Sequence, residues 1–222
     1  MKLGRVVATM LDAPMRGRVV ALILVAVAVI AQLSPALGAA LIFDRAAIDA
    51  GEYWRIATGS LVHFSWAHLA GDAMVLVVAS WLLDERPGAE VAALLLGAAA
   101  ASGLAVLIFA PELRWYGGLS GLAHGAVVYV ALGAARECGW RRALSCLTLI
   151  IIASKLALDA GGVRVVSGSH LGAPVVVADM SHRGGIAYAL VFFVGVTLWT
   201  SVRARRAVRV ASVSRATACA AP

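Results

Sequence analysis

The stretch GGLSGLAHGAVVYVALGAA, residues 117–135, holds nineteen positions without a formal charge, yet it opens with Ser120 between glycines and places His124 four residues later. As a helix it would extend ~28 Å, close to the ~30 Å of a bilayer hydrocarbon core. Its apolar residues recur on all sides, which suits lipid or a protein interior and not a water-facing surface. The rest of the chain agrees. Of its 222 residues 62% are hydrophobic and 14% charged, with a mean hydropathy of +0.90. A soluble domain of this size cannot bury such a fraction, so the composition predicts an all-α polytopic membrane protein.

Five further runs extend that reading to a six-transmembrane-helix bundle: Val19–Phe43, Phe64–Leu83, Val91–Ala110, Ala143–Leu158 and Gly184–Val202 join Gly117–Ala135. The fifth span in chain order, Ala143–Leu158, is short and carries Lys155, which can snorkel to an interface. The first is uncharged over 25 residues. That is too long for a signal-peptide core, despite the small residues of SPALGAA, and predicts a retained helix. The organisation expected is a cytoplasmic segment 1–18, a membrane domain 19–202 and a basic, disordered cytoplasmic tail 203–222.

A net charge of +7 would suggest nucleic acid in a soluble protein, but its distribution argues otherwise. With six spans and an inside N-terminus, 13 of the 19 basic residues fall in inner segments and 6 in outer ones. This is the bias that orients membrane proteins, so both termini are expected in the cytoplasm and no nucleic acid partner is implied. Cys138, Cys146 and Cys219 fall on or near that inner side, where an odd number of thiols makes no disulfide framework.

Polar groups in or bordering hydrocarbon are costly and suggest function. Here His63, His68 and Asp72 stand at the start of the second span, Ser120 and His124 at the start of the fourth, and His182 at the start of the sixth. Those three spans all run from outside to inside, so their beginnings share one depth near the outer face. His68 and Asp72 lie one helical turn apart, as do Ser120 and His124. Gly117, Gly121 and Gly125 form a small-residue stripe beside Ser120, and Gly185 and Ala189 continue the face of His182. Small faces let membrane helices approach closely, which a hydroxyl on one helix needs to reach an imidazole on another. A neutral histidine can take the serine proton during attack and return it to a leaving amine. A helix N-terminus offers unpaired N–H groups to the developing oxyanion, and His68 could add a side-chain donor. His63 and His124 share the layer and read equally well as side chains bonding a neighbouring helix; His170 lies in a loop and takes no role.

These residues also resemble the rhomboid intramembrane serine proteases. WRIATGSLVHFSWAHLAGD (Trp54–Asp72) looks like that family's second membrane segment, GLSG (Gly118–Gly121) like its nucleophile motif, and SHRGG (Ser181–Gly185) like the H-x-x-G of its last helix. They come in the family's order across roughly residues 50–200. The run HFSWAH and SGLAHG with its extra His124 look most like the rhombosortase subgroup. That resemblance implies a six-helix rhomboid-like bundle in a bacterial cytoplasmic membrane. It implies membrane-anchored protein substrates whose C-terminal sorting tails carry a Gly-Gly motif, a hydrophobic helix and a basic end. It implies Ser120 as nucleophile, His182 as general base, and His68 with the Ser120 N–H at the oxyanion, supported by Gly118 and Leu119. Neither metal nor organic cofactor is implied. Asp72 stands where the family usually has asparagine. A bare carboxylate beside an oxyanion would repel it, so either Asp72 is protonated or it pairs with His68 and keeps that ring charged; the pair is the expectation.

Two other classes compete. A metal-dependent membrane hydrolase could use several histidines and an aspartate in one layer, although H-E-x-x-H is absent. A non-catalytic rhomboid-like protein that binds membrane clients would not need both Ser120 and His182.

Overall fold

The structure is a computed structural model that describes residues 17–83, 86–158, 164–166, 175–177 and 179–219. The expected cytoplasmic segment up to residue 16 and His170 lie outside the described residues. The chain is mostly helical. Its long helices are α1 (Gly17–Leu33), α5 (Trp66–Leu82), α6 (Gly88–Phe109), α7 (Ser120–Ala134), α8 (Trp140–Leu158) and α9 (Asp179–Cys219); between α1 and α5 stand short helices α2 (Pro35–Leu41), α3 (Arg45–Asp49) and α4 (Arg55–Thr58).

Among the described residues two helices, Gly88–Phe109 and the Asp179–Arg206 part of α9, are long and apolar enough to cross a membrane by themselves; counting each bent pair as one span gives up to four. The first bent pair corrects the expected straight span Val19–Phe43. Its two helices meet at 118°. Ser34 is extended (φ −113°, ψ 100°) and its Oγ accepts from Leu37 N at 3.3 Å, starting a new helix with Pro35 in its first turn. Proline has no N–H to continue the preceding ladder but fits a helix start, so an apolar run that hydropathy reads as continuous is two helices. The second bent pair, Arg55–Leu61 followed by Trp66–Leu82, turns through 97° and carries residues 62–65 across the break.

The core helices meet on small residues. A Cβ on Gly185 would run into the Gly121 carbonyl, one on Gly184 into the Ala101 carbonyl, and one on Gly97 into the Tyr188 ring. Such faces let α9 lie directly on α6 and α7, where dispersion and not hydrophobic exclusion holds membrane helices together. Helix α7 is only 15 residues long, and more than half of it is buried. Enclosure by neighbours frees it from spanning the hydrocarbon alone. Helix α8 packs on α7 and turns Leu144, Leu147, Ile150 and Ile151 outward.

Among the described residues, two short antiparallel ladders correct the all-helical expectation. Strand β1 (Phe43–Asp44) pairs antiparallel with β2 (Trp115–Tyr116), and β3 (Arg164–Val166) with β4 (Val175–Val177). Beyond Val202, α9 continues as helix to Cys219. Alanine and arginine are strong helix formers, and extending an existing helix avoids the cost of nucleation.

The β1–β2 ladder ties the segment after α2 to the residues leading into α7. Trp115 Nε1 donates to Asp44 Oδ2 at 3.2 Å. The adjacent Arg45 guanidinium donates to the carbonyls of Val106, Leu107, Ala110 and Leu113 at 2.9–3.2 Å, closing the end of α6. A cation at a helix C-terminus also suits the dipole. Arg55 anchors its loop similarly, donating to the carbonyls of Ala39 at 2.7 Å and Ile42 at 2.9 Å.

Candidate active site

Ser120 is the first residue of α7. The chain enters it through Gly118, whose φ of +132° is unfavourable for any residue with a side chain. Space gives a second reason for glycine there: a Cβ would sit 2.9 Å from His68 Cε1, 3.0 Å from His68 Nε2 and 3.3 Å from Asp72 Oδ2. Gly117 is pressed similarly against the Val62 carbonyl. The lead-in therefore lies flat on the segment that carries the two upstream histidines.

His182 comes from the first turns of α9. The close crossing of Gly121 and Gly185 brings the two helices together just beyond it, and Gly125 sits under the Gly185 carbonyl one turn further on. As a result Ser120 Oγ and His182 Nε2 are 3.0 Å apart. The imidazole is 4% exposed, so little water competes for that contact. His124 stacks on it with ring centroids 4.2 Å apart and planes 23° from parallel. His124 Nδ1 lies 2.7 Å from the Ser120 carbonyl oxygen. A carbonyl can only accept, so Nδ1 carries the proton in that bond.

A second cluster borders the first. Asp72 Oδ2 is 3.2 Å from His68 Nε2 and 3.3 Å from His63 Nε2. The two histidine rings meet edge to face with centroids 5.0 Å apart. His63 is 5% exposed and its Nε2 accepts from Leu119 N at 3.1 Å. The adjacent Gly118 carbonyl accepts from Tyr116 Oη at 3.3 Å, and Ser60 Oγ lies 3.4 Å from the same phenol. Burial, the largest influence on Tyr116, raises its pKa, so it stays a protonated donor.

All the residues expected from sequence to form the site are therefore neighbours: Ser120, His182 and His124 in one cluster, His63, His68 and Asp72 in the other, with Gly117, Gly118 and Leu119 between. The i,i+4 contact of His68 and Asp72 is present, and a third partner, His63, accompanies it. The sequence reading missed Tyr116, Ser60 and Arg45. A tyrosine two residues before the glycine was visible, but neither spacing nor hydropathy tells which carbonyl a phenol will reach. Among the described residues no group of three or more His, Cys, Asp or Glu is arranged to hold a metal ion.

Chemically, the arrangement offers a hydroxyl bonded to a nearly buried imidazole at a helix start, where the first N–H groups lack intrahelical partners. Beside it lies a carboxylate flanked by two imidazoles. The Rhomboid domain family matches residues 50–201, more than half of the chain. No curated protein matches it.

Proposed function

Starting from the chain's membership of the Rhomboid domain family, we propose that this integral, multi-pass membrane protein is an intramembrane serine endopeptidase working through a Ser120–His182 dyad. The observation that carries the reading is the 3.0 Å contact between Ser120 Oγ and His182 Nε2, made across two helices that touch through glycine.

In this mechanism Ser120 Oγ attacks the scissile carbonyl while His182 Nε2 takes its proton, then returns it to the leaving amine. Water hydrolyses the acyl-enzyme with the same histidine as base. His124, stacked on His182, limits the ring to orientations that keep Nε2 toward Ser120. The oxyanion is met by the Ser120 N–H at the helix start and by His68. Asp72 Oδ2 lies 3.2 Å from His68 Nε2, so in this proposal the carboxylate faces that ring instead of standing bare beside the oxyanion.

The chain crosses the membrane six times in this proposal, with both termini in the cytoplasm of a bacterium and the dyad toward the outer face. Its substrates are exported proteins held by a C-terminal hydrophobic helix, cut at a Gly-Gly-type sorting tail. The resemblance of HFSWAH and SGLAHG to rhombosortases supports that choice.

The test uses purified protein in detergent or liposomes, a model substrate with a Gly-Gly-containing tail and membrane helix, and mass spectrometry of the products. Cleavage by the wild type and none by Ser120→Ala or His182→Ala is expected, with EDTA leaving the rate unchanged. Cleavage surviving Ser120→Ala would overturn the mechanism.

A further inference from the structure

The Gly118–Leu119 peptide, the last complete unit before the nucleophile, is held at both ends. Its carbonyl accepts from Tyr116 Oη, and its N–H points at His63 Nε2. Both holders belong to one patch: Ser60 Oγ lies 3.4 Å from the Tyr116 phenol, and Ser60 and His63 flank the end of the same short turn, Gly59–Leu61. Ser60 and His63 are 0% and 5% exposed, and Tyr116 3%, so the clamp is dry. Gly118 gives this peptide unusual rotational freedom, because glycine resists neither sign of φ. Without a fixing partner, the peptide could turn and carry the Ser120 N–H and Oγ with it.

We propose that His63 is a positioning residue for the nucleophile: with Tyr116 it locks the plane of the Gly118–Leu119 peptide and so sets the direction of Ser120. The inference rests on Ser120 being the nucleophile and goes beyond that reading.

The clamp dictates where the protons are. A ring nitrogen that accepts a hydrogen bond has its lone pair in that bond, so His63 Nε2 is unprotonated and Nδ1 carries the proton. Asp72 Oδ2 also stands 3.3 Å from His63 Nε2, but one lone pair cannot serve an amide donor and face a carboxylate favourably. His63 therefore gives Asp72 no hydrogen bond, and the other imidazole nitrogen near that carboxylate is His68 Nε2 at 3.2 Å. The two histidines thus divide: His63 Nε2 holds the peptide, and His68 Nε2 faces the Asp72 carboxylate. The Leu119 N–H is committed to His63 and is withdrawn from the set of oxyanion donors, leaving the Ser120 N–H.

The experiment compares wild type with His63→Gln, His63→Leu and Tyr116→Phe. Glutamine keeps an acceptor that can reach the Leu119 N–H, whereas leucine fills the space without one. Initial rates of labelling by a fluorophosphonate measure Ser120 reactivity independently of any substrate, and kcat and KM are read on the model substrate. Thermal unfolding of each variant shows what fraction is folded. Per folded molecule, His63→Leu is expected to lose labelling rate and kcat on the order of 10²-fold, the effect of a misplaced reacting group. KM should change little. His63→Gln should recover most of the loss, and the Leu and Phe changes combined should cost less than their separate effects multiplied, because either one alone releases the peptide. A His63→Leu variant labelled at the wild-type rate per folded molecule, or a Gln variant as slow as Leu, would overturn the proposal. Labelling of wild type that persists in Ser120→Ala would instead remove the nucleophile assignment beneath it, a different result visible in the same assay.

Discussion

Asp72 is the side chain whose chemistry departs most from what its position would suggest. A carboxylate near a developing negative charge should slow acyl transfer, yet here its Oδ2 sits 3.2 Å from His68 Nε2 on the next turn. That carboxylate faces an imidazole which itself lies against the Gly118 lead-in to Ser120. Asp72→Asn keeps the shape and removes the charge, so His68 loses the carboxylate beside its Nε2. A hydrogen bond to a charged group is worth ~1.5–3 kcal/mol, so kcat should fall roughly ten- to hundredfold. Single-turnover cleavage by the purified variant checks this, and equal or faster turnover would dismiss the compensating role. Gly118 supports a companion prediction. Gly118→Ala must adopt φ +132° and place a methyl 2.9 Å from the His68 ring. Fluorophosphonate labelling of Ser120 should fall by at least ~10-fold, because backbone and imidazole cannot both keep their places. At this scale the sequence was informative about which polar residues come together, since a histidine or aspartate at hydrocarbon depth is costly without a partner. It was silent on their pairing. That His63 would bond an amide while His68 meets Asp72 depends on a break in the helix between residues 61 and 66, which no i,i+4 rule describes.

Between elements, the crossing of α7 and α9 decides whether a dyad exists. A methyl on Gly185 would run into the Gly121 carbonyl, and one on Gly121 into the Ser102 side chain and the Ser181 carbonyl, so neither fits without moving a neighbour. Gly185→Ala should therefore weaken the fold by ~1–3 kcal/mol, the usual cost of overpacking. It should also reduce cleavage more than the unfolded fraction explains, since a shift of about 1 Å can cost ~10²-fold. Gly195→Ala on the same helix is the control, with nothing within 4 Å of the added atom. It should leave both thermal unfolding and turnover unchanged within error. The glycine stripes were legible as close-packing faces, because spacing of four residues is all that such a face requires. The break at Ser34–Pro35 was written in the sequence too, as a capping residue followed by proline, but averaging hydropathy over a membrane-length window erased it. The Arg45 cap on the end of α6 was not readable. Its four carbonyl partners lie more than sixty residues away, and a cation before a short helix carries no address.

For the whole molecule the open issue is which side of the membrane each end of the bundle faces. Cys138 supplies a native reporter. It is exposed in the connection between Ala134 and Trp140, at the opposite end of α7 from Ser120. Arg136, Arg141 and Arg142 surround it, and basic residues of this kind are retained on the cytoplasmic side. The site would then lie toward the outer face, where exported substrates are presented. Replacing Cys146 and Cys219 by serine leaves Cys138 alone. A membrane-impermeant maleimide should then label inverted vesicles and spare intact spheroplasts. A second variant with all three native thiols replaced and Glu112→Cys introduced near the other end of the bundle should label in the reverse pattern. Labelling of Cys138 from outside would place Ser120 toward the cytoplasm. The dyad chemistry would survive that result, but exported sorting tails would not, because a protease open on the inner side meets its substrate helices before their C-terminal tails have crossed.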